Sequence, residues 1–80
     1  MVATLYVVQS FKLDNSRLKL DKERNFRTEV EAVTAAKRLA ITKAGVVAFS
    51  TAVDIKADVY GDPKFLFCAG RLPPGPVGYN

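Results

Sequence analysis

The sequence predicts an α+β protein: a two-layer, mostly antiparallel four-stranded sheet with one helix packed on one face, in the order β-β-α-β-β. Three observations carry this. Residues 2–13 are rich in Val, Leu, Tyr and Phe and alternate with a period of two. Thr28-Glu29-Val30-Glu31 is a capping box that opens an Ala-rich stretch with helical periodicity. Two further apolar runs, Val46 to Val53 and Lys64 to Ala69, are bounded by glycine and proline.

In the first strand, Ala3, Leu5, Val7, Phe11 and Leu13 share one face, and Thr4, Tyr6, Val8, Ser10 and Lys12 share the other. The first face is the more apolar and is expected to look into the core. Asp14-Asn15-Ser16 is a turn cluster. Arg17 to Asp21 then alternates charge with leucine, as a short strand hairpinned onto the first. Residues 22–27 have no clear period and read as a loop or strand end.

The helix is expected from about Glu29 to Ala44, with Gly45 at the C′ position where a positive φ is wanted. Its wheel places Val30, Val33, Ala36, Ala40, Ile41 and Ala44 on the core side. Ala32, Ala36, Ala40 and Ala44 form a ridge of small side chains that permits close packing. Between the last two strands lies a polar connection, Asp54 to Pro63, of about ten residues, longer than the usual 2–5 of a hairpin. Residues 1–72 read as one domain. Residues 73–80, with three of the four prolines, read as an extended tail.

Size and composition narrow the function. An 80-residue chain hides only about 60–65% of its surface and leaves no room for a large enclosed cleft. Binding on a face or edge is the expected mode of action. No apolar run approaches the ~20 residues of a membrane-spanning helix. The first residues lack the basic region and cleavage site of a signal peptide, so a cytoplasmic location without membrane association is expected. There is no histidine and only one cysteine, Cys68. The commonest general base and metal ligand is thus missing. Cys68, flanked by Phe67 and Ala69, reads as a small buried hydrophobe. No phosphate-loop, dinucleotide or Cys-x-x-Cys motif occurs. Asp54, Asp58 and Asp62 recur every fourth residue, but Lys56 and Ala57 stand where a calcium loop needs oxygens. They read as turn formers. No enzyme, cofactor or metal is expected.

The net charge of +4 is placed unevenly: residues 12–43 hold nine Lys and Arg against five Asp and Glu. Lys12, Arg17, Lys19, Lys22, Arg24 and Arg27 form a basic segment flanked by Phe11 and Phe26. Cations with aromatics on a sheet suit single-stranded nucleic acid, the charge following the backbone and the rings stacking on bases. Interleaved Asp14, Asp21 and Glu23 fit equally well a solvated edge hairpin protected from aggregation. One helix leaves the second face of a four-stranded sheet open. Tyr6, Val8, Phe65 and Phe67 are the candidates there, for a protein partner or a homodimer. A small non-enzymatic binding module, contacting a protein partner or itself through the open sheet face or an edge, is the first reading; nucleic-acid binding through residues 12–27 is the alternative.

The run Ala35-Ala36-Lys37-Arg38-Leu39-Ala40, then Ala44-Gly45-Val46-Val47-Ala48-Phe49-Ser50, with Asp54, Tyr60, Gly70 and Leu72-Pro73, resembles short uncharacterised bacterial proteins. Those share a leading strand, a helix running into A-G-V-V-A-F, a later Asp and a closing G-x-x-P. The resemblance implies a stand-alone cytoplasmic bacterial protein and brings no activity, cofactor or site residue with it.

Overall fold

A computed structural model of the chain describes residues 2–73. The elements are β1 (Val2–Asp14), β2 (Arg17–Phe26), α1 (Glu29–Leu39), β3 (Gly45–Asp54), β4 (Val59–Tyr60) and β5 (Lys64–Gly70). The α+β class and two-layer arrangement are those expected: one helix lies on a curled antiparallel sheet. Strand order is β2-β1-β3-β4, and β5 also pairs with β3. Since β1 occupies one side of β3 along its whole length, β4 and β5 share the other side, one after the other. The tail, beyond Pro73, lies outside the described residues.

β1 and β2 close through a two-residue loop, Asn15-Ser16, both with positive φ (52° and 68°). This primed geometry matches the strand twist, and Asn tolerates it well. β2 continues to Phe26 rather than ending near Asp21, because all of β1 is available as a pairing partner. The expected ten-residue loop contains a short strand of its own, β4. A four-residue turn at 55–58, with Asp58 at φ 56°, leads into β4. Gly61 stays bound, its N–H donating to the Ala52 carbonyl (2.7 Å) and its carbonyl accepting from Thr51 Oγ1 (2.8 Å). Pro63 lies in the connection between β4 and β5, where a missing N–H is tolerated.

Thr28 caps α1 as expected: its Oγ1 accepts from the Glu31 N–H at 3.2 Å. Thr28→Ala should lower stability by about 1 kcal/mol, read as a fall in Tm. The helix ends at Leu39, five residues earlier than expected. Ala40 to Ala44 continue in tight turns, with Ile41 N–H bonded to Arg38 O and Thr42 N–H to Leu39 O. Gly45 is therefore a strand residue, not a helix cap. The chain demands its small size instead: a Cβ there would overlap the Arg71 carbonyl oxygen.

The helix packs on the Tyr6–Val8–Ser10 face of β1, the face expected to stay open. Val8, Val46 and Ala48 of the sheet meet Ala32 and Ala36 of the helix, with Tyr6, Phe26, Leu39, Leu66 and Phe67 around them. Val30 and Ile41, placed on the core side by the wheel, are exposed. The other face carries its own cluster of Val7, Phe11, Val47 and Phe49, joined by Leu5, Leu18 and Leu72. β1 and β3 are central strands with apolar residues on both sides, so alternation alone did not say which side α1 would cover.

This corrects the interface reading. Tyr6, Val8 and Phe67 lie under the helix, and Val8 is only 2% exposed. Phe65, on the far face, meets Phe49 at a ring-centroid distance of 6.4 Å. A bulge at Leu66 separates the two phenylalanines: Ala48 pairs with Phe67, but Phe49 pairs with Phe65. Cys68 is exposed on this outer strand rather than buried.

Candidate functional site

A second bulge shapes the basic segment. Phe11 pairs with Leu20, but Ser10 pairs with Lys22, so Asp21 is the extra residue on β2. Cross-strand partners share a face. Before the bulge, Lys19 pairs with Lys12 and so faces the helix side, with Arg17 two residues away. After it, Lys22 pairs with Ser10 and Arg24 with Val8, again on the helix side, and Phe26 pairs with Tyr6. Without Asp21 the odd-numbered cations and the even-numbered ones would fall on opposite faces. The bulge gathers Lys12, Arg17, Lys19, Lys22, Arg24 and Phe26 on one.

The inner half of this face borders α1. The Ala32–Ala36 ridge lets the helix sit close over β1 and β3, while β2 extends beyond its flank. An open groove of about 760 Å³ runs between them. Lys22, Arg24 and Phe26 form one wall; Val30, Thr34, Ala35 and Arg38 form the other; Val8, Ser10 and Leu39 make the floor. Lys43 stands at one end, and Glu31 is the one acid on the lining. Arg24 lies over the Phe26 ring at 5.5 Å, a cation–π contact.

The direct partner of Asp21 is Lys43 rather than a cation of β2. Its carboxylate is taken by Lys43, at 2.6 Å, tying the bulge to the turn after α1. The hydrogen bond from Lys43 holds the Asp21 carboxyl below the usual carboxylate range; partial burial opposes this, and the charges of Lys43, Lys12 and Lys22 reinforce it. With the folded-state pKa below the unfolded one, the pair's stabilisation is complete above the unfolded value of about 3.9. It is lost as pH falls through the folded value. In acid melting curves, wild type should therefore lose more stability below about pH 4 than Asp21→Asn.

Ser10 is fully buried at the groove floor, and its Oγ has no hydrogen-bond partner among the described residues. An unsatisfied buried hydroxyl costs roughly 1–3 kcal/mol. At the hairpin tip, Lys12 and Lys19 stand directly opposite, a like-charge pairing that also costs stability. Asp14, 3.1 Å from Lys19, offsets part of it. Arg17 and Lys19 thus share the basic face but lie outside the groove, whereas Arg27, exposed in the bend before α1, does not line it either.

The chain matches no family model, no curated protein and no solved structure.

Sequence reasoning found Lys22, Arg24 and Phe26 but not how Ser10, Thr34 and Lys43 join them. One signal was present: Ser10 is the polar interruption on the Tyr6–Val8 side of β1. The aspartate series is not brought together. Asp54 Oδ1 accepts from the Ala57 N–H at 3.2 Å, as a turn former does. Among the described residues no three His, Cys, Asp or Glu side chains are grouped to hold a metal, and no helix is long and apolar enough to cross a membrane.

Proposed function

We propose that this protein is a binding module for single-stranded nucleic acid, using the helix-side face of the β1–β2 hairpin. The observation that supports this most is the Asp21 bulge, which lines up Arg17, Lys19, Lys22 and Arg24 with Phe26 on one face. A row of cations follows a phosphodiester backbone, and an aromatic–guanidinium stack offers a platform for a base. The opposed Lys12 and Lys19 are a like-charge cost that a bound polyanion would relieve. Protein binding through Tyr6, Val8 and Phe67 has lost its support, since α1 covers them.

A charge-reversed hairpin tip tests the reading. Arg17→Glu with Lys19→Glu should weaken an oligonucleotide of any sequence by roughly the same factor, because phosphate contacts carry no sequence information. Unchanged affinity in fluorescence anisotropy would remove the tip from the binding face.

A second reading has one observation in its favour. Ile55, Val59 and Tyr60 are each more than half exposed around the β3–β4 turn, at the sheet edge opposite the cations of β2. A protein partner at that edge would leave nucleic-acid binding intact, so hairpin charge reversals separate the two.

A further inference from the structure

We infer that the groove between α1 and β2 holds one unstacked nucleotide, with its phosphate on the cationic rim and its base over the floor. The inference deepens the nucleic-acid reading and rests on it.

The chemistry of the lining selects this ligand. The rim offers Lys22, Arg24 and Arg38, while Lys43 is engaged by Asp21. Two guanidiniums and an ammonium suit a phosphate, which arginine grips in a bidentate manner. Inorganic phosphate would satisfy that rim but leave the apolar lining of Val8, Phe26, Val30, Ala35 and Leu39 uncovered, whereas a planar base attached to the phosphate covers it. Phe26, with the Arg24 guanidinium 5.5 Å from its ring centroid, supplies the aromatic surface against which an unpaired base packs. The groove volume of about 760 Å³ lies in the range of small-ligand sites. A duplex keeps its bases stacked and paired and cannot offer one without cost. A groove occupied in this way gives single strands an advantage over duplex that the cations alone would not.

The test uses the full chain, isotope-labelled, titrated with a nucleoside 5′-monophosphate at low salt. Amide shifts at Ser10, Arg24, Thr34 and Arg38 should saturate with the nucleotide. Inorganic phosphate should move only the rim residues. Ala35→Leu, a helix-compatible change on the groove wall, should abolish the nucleotide shifts and weaken single-strand binding by about tenfold, the contribution of one stacked base. Oligonucleotide binding that persists in Ala35→Leu, with no saturable nucleotide shift in wild type, would overturn the groove inference and leave the hairpin reading standing. Groove shifts from a fatty acid but not from the nucleotide would overturn it as well. Saturable nucleotide shifts without oligonucleotide binding would support the groove as a nucleotide site and sink the single-strand reading.

Discussion

Gly45→Ala is expected to destabilise the protein by about 3 kcal/mol, a fall of roughly 15 °C in Tm for a domain of this size. Gly45 opens β3 directly opposite Gly70 of β5. The chain after Gly70 crosses over it, with the Arg71 N–H bonded to the Ala44 carbonyl at 2.9 Å. An added Cβ at Gly45 would meet the Arg71 carbonyl, which is backbone and cannot swing aside like a flexible side chain. Relief requires lifting Arg71 and Leu72 off the sheet, and Leu72 packs against the Val7–Phe11–Val47–Phe49 cluster. Gly70 is held by a second constraint, its φ of 72°. The mechanism predicts coupling: in a chain ending at Gly70, Gly45→Ala should cost much less, and a double-mutant cycle measures the difference. Equal costs in both backgrounds would contradict the overlap account.

Lys22→Glu with Arg24→Glu should reduce affinity for single strands by on the order of 100-fold at ~50 mM salt, the largest binding effect of any pair in the chain. The substitution removes two phosphate partners, places two repelling charges on the groove wall and abolishes the stack on Phe26. Both side chains are exposed, so the fold should survive, which circular dichroism and an unchanged Tm would verify. The salt slope should also shrink by about 1.4, the share of two single-strand phosphate contacts. Arg27→Glu, outside the groove, should have a much smaller effect.

These predictions draw unequally on sequence and structure. The class, the first strand, the Asn15-Ser16 turn and the Thr28 cap were legible because each depends on local pattern: alternation, turn chemistry and a capping box. The basic segment was legible as composition. Its geometry was not, since Arg17 and Lys19 differ in parity from Lys22 and Arg24, and only the pairing register reveals that the bulge at Asp21 cancels the difference. The side chosen by α1 was equally hidden. Val7 and Val8 are both buried, one on each face, so the apolar count along β1 favoured the wrong side. Gly45 shows a third kind of gap: its position after a helical stretch suggested a cap, whereas a chain segment 26 residues later in sequence explains it.

Binding of single-stranded nucleic acid by the cationic hairpin face is tested most directly by its salt dependence. Anisotropy of a labelled single-stranded oligonucleotide should be titrated with the full chain at ~50 and ~200 mM salt. With about four phosphates neutralised, affinity should fall about fifty-fold between them, and a duplex should bind more weakly than the single strand. Affinity that does not change with salt, or no binding at ~50 mM, would contradict the account.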